Sequence, residues 1–145
     1  MNVQRIVTDG RATSTGPLMR QMVETYFMDM APYAHLNLSE VFDIIKNIPF
    51  RPDPPTVETL MRPYYTLSSK GYGGDCDDKA IAMASYARLS KIPYRFVAVR
   101  RAHRKVLHHV FCQLYINNNW FTVDPTYNFN VLGREREGYA ERIII

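Results

Sequence analysis

The stretch "YGGDCDDKAIAMASYARL", Tyr72 to Leu89, puts a thiol among acids where a helical pattern begins. A cysteine at a helix start can act as a nucleophile, because the free amides and the helix dipole favour thiolate. The acids have a structural use of their own. With Asp75 as N-cap, Cys76 is the first helical residue and Asp78 falls three after the cap. The two carboxylates can then exchange backbone hydrogen bonds as a variant capping box. Their charge also suits the first turn, yet like charge raises a thiol pKa. An imidazole partner would decide the balance by forming a thiolate–imidazolium pair.

The chain has four histidines, His35, His103, His108 and His109. His35 lies between two helical segments and His103 in a basic loop, and both read as ordinary surface or half-buried residues. His108 and His109 are adjacent on a strand and so point to opposite faces. A two-residue turn at Asn117 and Asn118 makes Ile116 oppose Asn119 and Phe111 oppose Asp124. His109 then shares a face with Phe111 and is diagonal to Asp124, within reach of a long side chain, while His108 falls with Val110 and Cys112. A turn longer by one residue, or a bulge, reverses the assignment. Asp124, just before Pro125, could accept an imidazole N–H and orient the ring. The chemistry these types permit is attack by Cys76, with His109 as base and Asp124 as orienter. The competing reading makes the acids helix and turn caps and His109 a buried polar residue.

Other chemistries find less support. Cys76, Asp77, Asp78, His108, His109 and Cys112 are metal-ligand types, but no CxxC or HxxxH spacing occurs and "DCDD" lacks a calcium loop's spacing and glycine. His108 and Cys112, four apart on a strand, are separated by roughly 13 Å. No metal and no cofactor is expected. The net charge of +4 comes partly from "RRAHRK", Arg100 to Lys105. No aromatic interleaving or nucleic-acid motif accompanies it, so it reads as a solvated loop and nucleic-acid binding is not expected. An acidic ligand held by Arg100, Arg101, Arg104 and Lys105 is a lesser alternative.

The elements that must position these residues follow from periodicity. At 145 residues, 46% hydrophobic and 22% charged, the chain suits one globular domain over 1–145. No apolar run of about 18 residues predicts a membrane helix. The N-terminus has no apolar signal segment, and two cysteines are too few for a disulfide framework, so the expected location is cytoplasmic. "GPLMRQMVETYFMDMA" predicts a helix with Leu18, Met22, Tyr26 and Met30 in a stripe and Pro17 in its first turn. "LSEVFDIIKNIPF" predicts another, with Ser39 as N-cap, Val41, Phe42, Ile45 and Ile48 inward, and Pro49 as stop. Thr56 could cap a short helix ended by Pro63, inside an ordered loop docked by Leu60, Met61, Tyr64, Tyr65 and Leu67.

The helix from Asp77 to Leu89 has a small, flat face of Ala80, Met83, Ala84 and Ala87 that permits close packing. The period then changes to that of strands in "YRFVAVRR", "VLHHVFCQLYI" and "WFTVDPTY", with "ERIII" a further edge strand. Helices followed by an antiparallel sheet make an α+β domain.

"GGDCDDKAIAMASYARLSKIPYRFVAV" followed by "HVFCQLYINNNWFTVDPT" resembles the transglutaminase-like superfamily of papain-like fold cysteine enzymes. The resemblance covers residues 73–126. It rests on Gly-x-Cys before a helix, an "IPxRxV"-like strand entry, a His-x-aromatic strand and a Trp-containing strand ending in Asp-Pro-Thr. Val110 stands where the family often has a smaller residue and Phe111 where it often has Trp, and neither touches the chemistry. The "GDCDDKA" form looks like small bacterial and phage-encoded members, which would place the protein in a host cytoplasm. The resemblance implies N-terminal helices and a central helix packed on an antiparallel sheet, with a catalytic triad of Cys76, His109 and Asp124. It also implies an oxyanion site at the Cys76 amide, with Tyr72 as a second donor. The substrate would be a peptide or protein amide, passed through a thioester to water (a peptidase or amidase) or to an amine (a transglutaminase). The triad is common to both, and hydrolysis is preferred because no accessory domain for gripping two proteins is evident. A non-catalytic phage structural or interaction module on the same fold is the alternative.

Overall fold

Ten consecutive residues, Asp78 to Ala87, are buried in one helix, and the rest of the fold is arranged around it. The structure, a computed structural model, describes residues 5–8, 11–53, 58–68 and 73–145. The elements in chain order are β1 (Arg5–Thr8), α1 (Ala12–Tyr26), a 3-10 helix (Phe27–Tyr33), α2 (Leu38–Lys46), β2 (Glu58–Met61), α3 (Pro63–Thr66), α4 (Cys76–Leu89), β3 (Tyr94–Arg101), β4 (His109–Ile116), β5 (Asn119–Val123) and β6 (Tyr139–Ile144). A helix buried on all sides must be apolar or paired all round. In α4, alanines supply close approach, Met83 and Ile81 supply volume, and Ser85 and Lys79 are buried with them. Helices α1, α2 and α3 and the 3-10 helix pack on one side, β4 and β3 on the other.

Strands β5, β4, β3 and β6 form an antiparallel sheet in that spatial order. The architecture is α+β as expected, and "ERIII" is indeed an edge strand, paired with β3. Alternation divides the sheet's side chains. Phe96, Val110, Cys112, Leu114 and Val123 join the α4 core, whereas Val97, Val99 and Phe111 form a smaller cluster with Tyr139. Asn117 and Asn118 have φ of 53° and 65°, the left-handed pair that a two-residue hairpin with matched twist requires. The resulting register pairs Ile116 with Asn119 and Cys112 with Val123, as the two-residue turn demands.

Three local expectations fail. The predicted Thr56–Pro63 helix is absent among the described residues: Glu58–Met61 is a strand paired with Arg5–Thr8, and Thr56 itself lies outside them. "ETLM" has good helix formers, so long-range pairing overrides propensity. Pro63 opens α3 instead of ending a helix, a position where its missing N–H costs nothing. The cap of α2 is Asn37, not Ser39, because Asn37 accepts from the Glu40 amide at 2.9 Å and Glu40 accepts from the Asn37 amide at 3.1 Å. Helix α1 begins at Ala12, so Pro17 sits inside it and not in its first turn. Among the described residues no helix is long and apolar enough to cross a membrane.

Candidate active site

The start of α4 is built by its flanking residues. Asp75 caps the helix, accepting the Asp78 amide at 3.3 Å, and Asp78 Oδ2 accepts the Asp75 amide at 3.2 Å. Asp78 Oδ1 also accepts the Met61 amide at 2.8 Å, tying β2 to the helix. Burial, then the Asp75 charge, push the Asp78 carboxyl well above the usual carboxylate range, against the two amides that bond it. Both glycines are required by close approach. Gly73 has φ of +62°, and a Cβ there would lie 2.5 Å from the Pro49 carbonyl oxygen. At Gly74 a Cβ would lie 2.6 Å from the Asp78 Cβ.

Those contacts arise because Pro49–Arg51 runs beside Gly74. The Gly74 amide donates to the Pro49 carbonyl at 3.2 Å, and the Arg51 amide to the Gly74 carbonyl at 2.9 Å, so Phe50 and Gly74 form a parallel bridge. Lys79 secures the same segment from below. Its buried Nζ donates to the carbonyls of Ile48 at 2.8 Å and Lys46 at 3.3 Å, at the C-terminal end of α2, where a cation is favoured. Burial lowers the Lys79 pKa, opposed by Asp124.

Cys76 and His109 line the same cleft, a cavity of about 230 Å³ that continues into a second of about 340 Å³. Cys76 is half-buried. As the first helical residue its amide has no intrahelical acceptor. Burial, then Asp77 and Asp75, push its thiol well above the ordinary range. A backbone hydrogen bond with Val110 acts the other way. The resting group is therefore a thiol, and its Sγ donates weakly to Asp77 Oδ1 at 3.5 Å. His109 is buried at the first position of β4, on the Phe111 side of the ladder, with ring centroids 5.9 Å apart. Its Nε2 meets Asp124 Oδ2 at 2.8 Å. The carboxylate can only accept, so Nε2 carries the hydrogen and Nδ1 is the ring's basic nitrogen.

Asp124 is held in turn: its Oδ1 accepts the Thr126 amide at 3.1 Å, and its carbonyl accepts from the buried Asn130 Nδ2 at 3.0 Å. Asn130 also donates to the Arg134 carbonyl and accepts from Arg134 Nε, each at 3.0 Å.

The structure thus brings together Cys76 and His109 in one cleft and His109 and Asp124 in one hydrogen bond. Tyr72 lies outside the described residues. His35 and His103 are exposed. His108 departs from the expected division of faces, since it too lines the cleft. It precedes β4, where strict alternation does not yet hold, and its Nε2 accepts the Arg101 amide at 3.1 Å. Burial first, then Arg104, His109, Arg101 and His103, lower its pKa, as suits a neutral acceptor. Among the described residues no three His, Cys, Asp or Glu side chains could hold a metal ion. In the basic run, Arg100 donates to the Arg104 carbonyl at 2.9 Å and pairs with Glu141 at 3.5 Å.

A family model for the transglutaminase-like superfamily matches residues 25–125, well over half of the sequence. The chain belongs to the transglutaminase-like superfamily. The match begins at the end of α1, well ahead of the glycines at 73 and 74, and takes in the 3-10 helix and α2. Among solved structures, one that this member resembles is a "Putative Cysteine Protease" from Cytophaga hutchinsonii, at 17% identity and a TM-score of 0.47. That likeness covers 74% of this chain and 37% of the other, so the chain spans little more than a third of that protein's length. No curated protein matches the sequence. Membership makes this a cysteine-enzyme fold.

Four residues that matter to the site carried no clear signal in the sequence. Phe50 and Tyr127 line the cleft, Lys79 braces it and Asn130 holds Asp124. Lys79, inside an otherwise apolar helical face, was the one that could have been suspected of burial.

Proposed function

We propose that this member of the superfamily is a cysteine-dependent amide hydrolase or acyltransferase in which Cys76, His109 and Asp124 form the triad. The observation that carries the reading is the 2.8 Å bond from His109 Nε2 to Asp124 Oδ2, on a ring that shares its cleft with Cys76. Asp124 fixes the tautomer in which Nδ1 is basic, and Nδ1 takes the Cys76 proton. Since the resting thiol is held protonated, proton transfer and attack on the amide carbonyl are coupled. Sulfur forms a bond to carbon, and the carbonyl electrons move to oxygen, which the Cys76 amide at the helix start stabilises. The imidazolium then protonates the departing amine, leaving a thioester. A second acceptor, activated by the same ring, releases the acyl group. Water as acceptor makes the protein a peptidase or amidase, and hydrolysis remains the preferred reading. The reading takes residues 1–145 as one catalytic domain acting on a peptide or protein amide.

The test is acylation by a p-nitrophenyl ester followed by intact mass. One acyl adduct is expected on Cys76. It should be lost in Cys76→Ala and formed on the order of 10³-fold more slowly in His109→Ala. Cys112 is fully buried and should not label. Acylation of His109→Ala at the unmodified rate would refute the triad.

A further inference from the structure

Phe50 is a large apolar side chain left 52% exposed, yet its backbone is among the most firmly fixed near the cleft. The parallel bridge to Gly74 holds it from one side and the buried Lys79 ammonium holds the preceding turn from the other. It lines both parts of the cleft beside Cys76 and His109, and in the larger part it is joined by Tyr127 and Thr126. Tyr127 is itself fixed: its ring lies 5.2 Å from that of His109, stacks on Phe129 at 5.2 Å and 17°, and carries the Arg136 guanidinium at 4.7 Å. An exposed Phe50 and a half-buried Tyr127 on fixed mounts beside a nucleophile are pre-organised to bind, since little ordering of their own opposes it.

The charge of the cleft says what they would bind. Asp53, Asp75 and Asp77 line the smaller part of the cleft, whereas the larger part, which holds both Phe50 and Tyr127, is lined by no carboxylate, lysine or arginine. An uncharged apolar side chain gains there from burial against the two rings.

We propose that Phe50 and Tyr127 form a specificity pocket for an aromatic or large apolar side chain next to the scissile amide. This rests on the reading of Cys76 as nucleophile, and deepens it by naming the substrate class. Phe50 contacts the substrate without taking part in the proton transfers. Its replacement should therefore weaken the use of bulky apolar substrates more than that of small ones.

The experiment compares peptide amides that differ at one flanking position: Phe, Leu, Ala and Glu, placed in turn on each side of the bond. With the unmodified protein, kcat/KM should rise from Ala to Leu to Phe on one side, and Glu should gain nothing over Ala. In Phe50→Ala the preference for Phe over Ala, read as the ratio of their kcat/KM values, should fall by at least about tenfold. Phe50→Leu should restore part of the preference, and thermal unfolding of both variants guards against loss of fold. Equal cleavage of the Phe and Ala substrates by the unmodified protein, or an unaltered preference in Phe50→Ala, would overturn the pocket while leaving the triad standing. Failure of Cys76 to acylate at all would instead overturn the triad reading, and the pocket with it.

Discussion

His109 and Asp124 meet through a 2.8 Å hydrogen bond between Nε2 and Oδ2, both side chains almost wholly buried. The bond exists because Asn117 and Asn118 make a two-residue turn. That turn pairs Cys112 with Val123 and so leaves Asp124 diagonal to His109, just past the end of β5. A buried carboxylate that accepts from an imidazole selects one tautomer. Asp124→Asn keeps the shape but offers an amide that can bond the wrong tautomer. We expect kcat to fall by on the order of 10³ to 10⁴, with thermal stability nearly retained. A loss below tenfold in steady-state turnover would mean that Asp124 does not orient the ring.

Asn130 acts on the same ring from one step further away. Its amide satisfies the carbonyls of Asp124 and Arg134 and its oxygen accepts from Arg134. Asn130→Ala leaves two carbonyls without this donor at a buried site, which costs about 1–3 kcal/mol. Urea unfolding should show that loss. If Asn130 also positions Asp124, kcat falls while KM holds. A change in stability alone would make it purely structural.

The thiol of Cys76 is disfavoured as thiolate by burial first and then by Asp77 and Asp75. In His109→Ala, where no imidazole can share the proton, the iodoacetamide rate should therefore have its midpoint above the free-thiol value of about 8.5. Asp77→Asn should move that midpoint downward, because it removes a negative charge beside the sulfur. The hydrogen bond that Sγ donates to Asp77 acts in the same direction as the charge, so an upward or absent shift would show that Asp77 does not hold the thiol protonated.

The site was legible to the extent that its geometry is local. The capping box of Asp75 and Asp78 and the hairpin register follow from residues three apart and from a two-residue turn, and both appear in the structure. What could not be read depends on chain segments far apart. Strand β2 forms only because Arg5–Thr8 lies beside it, and nothing within "ETLM" announces that. Phe50 enters the cleft through a bridge to Gly74, whose partner lies beyond a proline-rich loop. His108 escaped the alternation rule because it stands just outside the strand, where the preceding loop sets its direction.

Gly73 joins the two halves of the site, and its replacement tests that joint. The backbone there is left-handed, with φ of +62°, and the Pro49 carbonyl oxygen would stand 2.5 Å from an added Cβ. Such a conformation costs a non-glycine residue on the order of 1–3 kcal/mol, before the carbonyl is displaced. Gly73→Ala should lower the unfolding free energy from urea titration by at least that amount. It should also weaken the bridge that holds Phe50, so the preference for bulky apolar substrates should decline with it. Retention of both would show that the Pro49–Arg51 segment is mounted by Lys79 alone.

His108 gives the fold an acid-side limit. Its Nε2 accepts the Arg101 amide at 3.1 Å, which only the neutral ring can do. Burial and the neighbouring cations lower its pKa in the folded chain below the ordinary value. The unfolded chain therefore binds more protons than the folded one in the window below about pH 6.5. Stability present above that value is lost as pH falls through the folded pKa. Replacement by glutamine, His108→Gln, keeps an acceptor without a titrating ring and should flatten the melting temperature between about pH 6.5 and 5, relative to the unmodified protein. A profile of unchanged slope in His108→Gln would show that His108 does not set the acid sensitivity.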